Sequence, residues 1–185
     1  MKYFCKKWWL LFLVATTLTL TGCFIQDSLQ ATTDTKLQKN VRMPAQLSRH
    51  IDGDTSEFLL DNKKIKVRYL LIDTPETVKE NVPVQPFGIE ASNRTKDLLQ
   101  KSSTIELMLD KGAPTDKYNR VLAYVFVDGE LLQNILVREG LARIAYVHEP
   151  STTYLNQLKE AEKQAKKKKI GVWSIQEYVT KDGYN

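Results

Sequence analysis

The sequence predicts an α+β domain built around a small barrel, closed or partly open. Three observations carry that expectation. Five runs have strand character and are separated by turn signals or by helical stretches. The helical stretches fall between and after the strands, as in the α+β class. Leu70-Leu71-Ile72 is a continuous apolar run, of the kind found where a strand is buried on both faces. A chain of 185 residues with 42% hydrophobic and 26% charged content fits one globular domain of this kind plus a tail.

The elements follow in order. From Phe24 to about Asn40 the chain is Ser, Thr, Gln, Asp and Lys with few apolar residues, a composition that reads as a flexible tether. Order is expected near Met43. Gln46 to Ile51 alternates as a strand, and Asp52-Gly53 marks a turn or bulge. Glu57–Leu60 and Lys64–Leu70 flank Asp61-Asn62-Lys63, a hairpin connection. Pro75, Pro83 and Pro86 make the next stretch a loop. A helix fits Ile89 to Leu99, with apolar or small residues at Ile89, Ala91, Leu98 and Leu99. Thr104–Leu109 and Arg120–Val127 are two more strands. Asp128-Gly129 turns into a helix from Leu131 to Glu139, closed by Gly140 at its C′ position. Ala142 to Val147 is a short extended piece. The last helix runs from about Thr153 to Lys169, and Trp173 is expected as a core anchor. The partition is a leader at 1–22, a tether at 23–42, the folded domain at 43–176 and a tail at 177–185.

The leader has its own signature. Lys2, Lys6 and Lys7 give a basic start, and an apolar-to-hydroxylic run follows from Trp8 to Thr21. The run is short for a membrane span and has the flank of a secretory signal. It ends in Leu20-Thr21-Gly22-Cys23, which resembles the lipobox of bacterial lipoproteins. Cleavage there would leave Cys23 as a lipid-bearing N-terminus, anchoring the protein to the outer face of the cytoplasmic membrane. The alternative is an ordinary cleaved signal that ends in Cys. Either cleavage removes three lysines from 27 basic residues and none of the 22 acidic ones, so the net charge falls from +5 to +2. Charge alone is therefore a weak argument for a nucleic-acid partner. A mature chain holding Cys23 alone forms no internal disulfide.

Three segments concentrate the chemistry: Ile51-Asp52-Gly53-Asp54-Thr55, Val67 to Glu76, and Asp116-Lys117-Tyr118-Asn119-Arg120. Asp52 and Asp54 are spaced to share one side of an extended segment, and Gly53 permits a sharp path between them. Read locally, an exposed Asp-Gly turn fits them as well. Asp73 and Glu76 flank Pro75 directly after the apolar run. A carboxylate at the mouth of a buried strand needs positive charge nearby, or else serves as a turn residue bonding its own backbone. Arg68 lies five residues before Asp73, on the opposite face of an ideal strand, so the two meet only if the strand bends or bulges. Asn119 suits a left-handed turn, and Arg120 opens the next strand, where a solvated hairpin arginine is the bland alternative.

Carboxylates suit a hard divalent cation. A further carboxylate can deprotonate water, and arginine forks can meet charge on phosphoryl oxygens. The set points to metal-assisted phosphodiester hydrolysis. His50 and His148 lack zinc-ligand spacing with any Cys or second His. Lys166 to Lys169 complements a helix C-terminus. Neither a Gly-rich phosphate loop nor a Ser/His/Asp arrangement stands out.

The same segments, with Gly88-Ile89-Glu90-Ala91-Ser92, Leu122-Ala123-Tyr124, Leu136 to Ala142, Ala145-Tyr146-Val147 and Val172-Trp173-Ser174, resemble the staphylococcal nuclease (thermonuclease) family from about His50 to Ser174. The resemblance implies an OB-fold barrel of five strands with three helices. It implies that Asp54, Asp73 and the Thr74 carbonyl hold Ca2+, with Asp52 acting through water. Glu76 would be the general base, and Arg68 and Arg120 would clamp the phosphate. Lys117, Tyr118 and Tyr146 would contact the nucleotide. The implied substrates are DNA and RNA, single-stranded or frayed, cleaved to 3′-phosphate ends by a monomer.

Three departures stand out. Asn119 replaces the family's usual Gly, and His148 replaces an aromatic near the base. The loop from Val78 to Phe87 is poor in lysine, which predicts weaker nucleic-acid binding with a shallower salt slope. A rival reading is a catalytically inactive OB-fold module that binds nucleic acid or protein. Retention of Arg68, Asp54, Asp73, Glu76 and Arg120 together argues against it.

Overall fold

The computed structural model describes residues 37–78 and 83–185. The expected leader, Cys23 and most of the tether lie outside the described residues, as do residues 79–82 of the proline-containing loop. The strands are β1 (Met43–His50), β2 (Thr55–Leu60), β3 (Lys63–Tyr69), β4 (Ile72–Asp73), β5 (Ile105–Leu109), β6 (Val121–Val127), β7 (Glu130–Leu131) and β8 (Arg143–Ile144). The helices are α1 (Gly88–Lys101), α2 (Leu132–Arg138) and α3 (Leu155–Lys168), with a 3-10 turn at Gly171–Ser174.

Five strands close a barrel. β1 pairs antiparallel with β2 through its C-terminal half and with β5 through Met43–Ala45, with an irregular register between Leu47 and Arg49 that lets one strand serve both neighbours. β2 and β3 form a hairpin. Asp61 and Asn62 take φ of 47° and 64° and Leu60 faces Lys63, so the connection is two residues of a type that tolerates left-handed backbone. β5 pairs with β6, and β6 then meets β3 in parallel, Val67 opposite Val121 and Tyr69 opposite Ala123. With three helices packed on it, this is the OB-fold that the resemblance implied.

Phe58, Val67, Tyr69, Leu107, Tyr124 and Phe126 are almost wholly buried. Ala123 to Val127 are buried without alternation, because β6 has the barrel on one side and α2 packed over it. Leu132, Ile135 and Leu136 of α2 are buried, and so are Leu158, Ala161 and Ala165, spaced at helical intervals along α3.

Several expectations are corrected. Leu70-Leu71-Ile72 is not one strand: the chain reverses at Leu70–Leu71, with Leu71 at φ 67°, and only Ile72–Asp73 continues as β4, paired with β8. All three side chains are buried, and burial demands apolar residues in a turn as much as in a strand. Ala142–Val147 yields just the two strand residues of β8. Ile89 points outward, 56% exposed, while Ala91, Thr95 and Leu99 form the buried stripe of α1. Trp173 is half-buried beneath Lys166, whose ammonium lies 4.3 Å from the ring centroid, and Val172 is the buried anchor. Gly140 and Gly171 pack backbone to backbone, and any Cβ on Gly171 would collide with the Gly140 carbonyl. At the ends of the domain, Asn40 N already donates to Leu109 O at 2.8 Å, and residues 177–185 fold back on the barrel with Tyr178 buried.

Candidate active site

The loop after β1 carries Asp52 and Asp54 against the segment after β4. Gly53 is required there for space: a Cβ would lie 2.6 Å from Thr74 Oγ1. Thr95 Oγ1 of α1 donates to Gly53 O at 2.7 Å, fixing the loop from the other side. Asp54 is 7% exposed and fully engaged. Its Oδ1 accepts from Thr55 Oγ1 at 3.0 Å, and its Oδ2 accepts from Thr74 N at 3.0 Å and Thr74 Oγ1 at 3.2 Å. Asp52 Oδ1 accepts from Asp54 N at 3.0 Å.

The reversal at Leu71 answers how Arg68 and Asp73 share a site. Arg68, 8% exposed, sits inside the bend, with Nη1 donating to Tyr69 O and Ile72 O, each at 2.8 Å. Nη2 lies 3.2 Å from Asp54 Oδ2 and 3.4 Å from Asp73 Oδ1. The guanidinium therefore braces its own turn and neutralises two carboxylates at once. The Tyr146 ring covers it, with 5.2 Å from the Arg68 guanidinium carbon to the centroid.

Asp73 has a second cation. Arg143 of β8 donates to Asp73 Oδ2 from Nε at 3.1 Å, with Nη2 at 3.0 Å. Burial, then the Asp54 charge, push the Asp73 carboxyl above its ordinary range despite both arginines. Burial and the Asp54 charge also push Asp52 up to about 7. In both carboxyls burial is the larger cause and the neighbouring Asp54 charge the smaller.

Glu76 begins the proline-containing loop. Its Oε1 accepts from Thr77 N at 2.9 Å and Val78 N at 3.0 Å, and its own N donates to Gln85 Oε1 at 2.7 Å. Asp116 organises the turn before β6. Its Oδ1 accepts from Tyr118 N and Arg120 N, each at 2.9 Å, and its Oδ2 accepts from Arg120 Nε at 2.7 Å. Partial burial works against the Asp116 charge, but these hydrogen bonds outweigh it and hold the carboxyl below its ordinary range. Asn119 takes φ 60°, the left-handed backbone expected of it. Tyr118 and Tyr146 are 68% and 61% exposed, with Lys117 5.1 Å from the Tyr118 ring centroid.

The candidate residues of these segments face one cleft of about 860 Å3. Asp52, Asp54, Arg68, Asp73, Thr74 and Glu76 line it together with Asp116, Lys117, Tyr118, Arg120, Tyr146 and His148. The structure therefore brings together every described residue singled out for chemistry. Cys23 lies outside the described residues. Sequence reasoning missed Arg143, Gln85 and Tyr184. Arg143 had a faint signal as an arginine inside a run of apolar residues; Gln85 and Tyr184 had none.

The donor set suits a hard cation. Among the described residues no three His, Cys, Asp or Glu side chains form a ready cage. A cation here would rest on Asp54, Asp73, the Thr74 carbonyl and water, all oxygen donors, beside the carboxylate of Asp52.

Comparison with known proteins agrees with this geometry. Residues 66–175 match the family model described as staphylococcal nuclease homologue. The chain is 52% identical to endonuclease YncB of Bacillus subtilis (strain 168) over 139 residues, 75% of this chain and 65% of that protein. It is 51% identical over 139 residues to the SPbeta prophage-derived endonuclease YokF of the same organism, covering 75% of this chain and 47% of that one. With the thermonuclease of Staphylococcus intermedius it shares 42% identity over 127 residues, 69% of this chain and 74% of the other. The chain thus spans less than two thirds of either Bacillus relative. On barrel, cleft and sequence together, the chain belongs to the staphylococcal nuclease family.

Proposed function

We propose that this chain is a Ca2+-dependent nuclease that hydrolyses DNA and RNA without sugar preference, leaving 3′-phosphate ends. The observation that carries the reading is the convergence of Arg68, Arg120, Glu76 and the Asp52–Asp54–Asp73 group on one cleft. A phosphodiester lying there meets the guanidinium forks of Arg68 and Arg120. Arg68 has Nη1 committed to the backbone and turns Nη2 toward the carboxylates; Arg120 is oriented by Asp116. Such preorganised donors act on the charge that builds on the phosphoryl oxygens. Glu76 is held by its own loop amides and takes the proton of the attacking water. Water adds to phosphorus, the bond to the 5′ oxygen breaks, and the leaving oxygen acquires a proton. Ca2+, when held by Asp54, Asp73 and the Thr74 carbonyl with Asp52 through water, supplies further charge stabilisation. Tyr118, Lys117 and Tyr146 offer stacking faces and charge for the nucleotide.

In the same reading the protein is a monomer anchored through lipidated Cys23 outside the cytoplasmic membrane. The support is the Leu20-Thr21-Gly22-Cys23 tetrad.

The test is cleavage of single-stranded DNA and RNA with Ca2+ and then with a chelator, in the parent protein and in Glu76→Gln. Cleavage that needs Ca2+ and falls about 10²–10⁴-fold in the variant supports the reading. A folded protein that binds the strands and never cuts them replaces it with the binding-module alternative.

A further inference from the structure

Gln85, Arg143 and Tyr184 have no place in the mechanism above, yet they connect its carboxylates. Tyr184 donates its hydroxyl to the Asp73 carbonyl at 2.7 Å and accepts from Arg143 N at 3.2 Å. Its ring centroid lies 5.7 Å from the Arg143 guanidinium carbon, and that guanidinium grips the Asp73 carboxylate. The Tyr184 main-chain carbonyl accepts from Gln85 Nε2 at 3.3 Å. Gln85 in turn brackets Glu76: Gln85 Oε1 accepts from Glu76 N at 2.7 Å, and Gln85 N donates to Glu76 O at 3.0 Å. One C-terminal residue is thus hydrogen-bonded to the segment of Asp73 and, through one glutamine, to the segment of Glu76.

We propose that residues Tyr178–Asn185 form a strap that sets the spacing of Asp73 and Glu76 in the cleft, with Tyr184 as its positioning residue. The strap is internally braced. Val179 pairs with Tyr184, Thr180 N donates to Gly183 O at 2.8 Å, and Asn185 N donates to Tyr178 O at 2.9 Å. It is also pinned at its start, where the Tyr178 hydroxyl donates to Pro86 O at 2.7 Å, next to Gln85. The Lys181 carbonyl accepts from Arg143 Nη1 at 3.4 Å, so the strap holds the Asp73 partner from two sides. Residues that orient metal ligands and catalytic carboxylates from behind act on affinity and turnover without touching substrate. The catalytic consequence rests on the nuclease reading; the positioning of the two segments does not.

Two variants of the full chain test the strap. Tyr184→Phe keeps the ring and removes the bond to the Asp73 carbonyl; deletion of residues 183–185 removes the Gln85 contact as well. Amide hydrogen exchange at Glu76 and Gln85, with Ala123 of β6 as internal reference, reads the positioning directly. Calorimetric titration with Ca2+ reads the ligand set, and kcat and KM on single-stranded DNA read the consequence. The deletion is expected to speed exchange at Glu76 about tenfold with Ala123 unmoved, and to weaken Ca2+ binding about tenfold. Tyr184→Phe is expected to lower Ca2+ affinity and kcat several-fold with KM steady. Should the deletion fail to fold, Tyr184→Phe decides alone through Ca2+ affinity and the kcat-against-KM split. Parental exchange at Glu76 in a folded deletion, or parental Ca2+ affinity in both variants, overturns the strap. If the parent protein cleaves nothing and takes up no Ca2+, the nuclease reading fails, and exchange at Glu76 in the deletion still supports or overturns the strap.

Discussion

Arg68 Nη2 stands 3.2 Å from Asp54 Oδ2, and both side chains are about nine-tenths buried. Removing one member of such a pair strands the other charge in a poorly solvated place. Arg68→Ala is expected to cost about 3–5 kcal/mol of folding stability, measured by urea unfolding with a chelator present. A loss under about 1 kcal/mol would mean that solvent reaches Asp54 more easily than its burial implies. Arg68→Lys keeps the charge and loses the fork to Tyr69 O and Ile72 O, so cleavage should fall even where stability recovers.

Arg120 differs because its carboxylate partner, Asp116, belongs to the same turn and lies nearer solvent. Arg120→Ala should cost about 1–2 kcal/mol of folding stability, less than Arg68→Ala, because its pair is only half-buried. Turnover should drop by about 10²–10³-fold with KM little changed, as expected for a contact that matters most in the transition state. Steady-state kinetics beside an unfolding curve checks both halves.

Asp110 gives the fold a definite acid sensitivity. It accepts the Tyr124 hydroxyl at 2.7 Å, Thr153 Oγ1 at 2.7 Å and Thr153 N at 3.0 Å, tying β5 to β6 and to the segment before α3. Burial opposes its charge, but these bonds hold the carboxyl below its ordinary range. The unfolded chain, with an ordinary Asp near about 4, binds the proton more readily. The contribution is therefore fully present above that unfolded value and is lost as pH falls through the lower folded one. Asp110→Asn should cost about 2–3 kcal/mol at pH 7, and its stability should fall less steeply than the parent's under acid. Urea midpoints between pH 2 and 7 settle it.

The loop from Val78 to Phe87 contains one lysine, Lys79. Fewer cations near the strand mean fewer counterions released on binding. The slope of log affinity against log salt for a Glu76→Gln protein on single-stranded DNA should be shallower than for a relative with a lysine-rich loop. Equal slopes would overturn the link between this lysine-poor loop and weaker binding.

The barrel strands and helices were legible because alternation, helical spacing and turn residues all pointed the same way, as at Asp61-Asn62. The charged residues of the cleft could be singled out because the Asp, Glu and Arg side chains cluster in three short segments, whereas Tyr146 entered only through the family resemblance. The reversal at Leu71 was not. An apolar run reports burial and is silent on whether the chain continues or turns, so the meeting of Arg68 with Asp73 was open until the bend was seen. Arg143, Gln85 and Tyr184 were illegible for another reason. Their partners lie 70, 9 and 111 positions away, and no local pattern carries a contact of that kind.

The parallel seam between β3 and β6 also has a kinetic meaning. It joins Val67 to Val121, and Arg68 lies within it opposite Leu122, while Arg120 directly precedes it. Pairing residues so distant along the chain must overcome a large loop-closure entropy and belongs among the slower events of folding. Until that seam zips, the two arginines are held on separate pieces of chain. The cleft is consequently absent from every species in which that seam is still open.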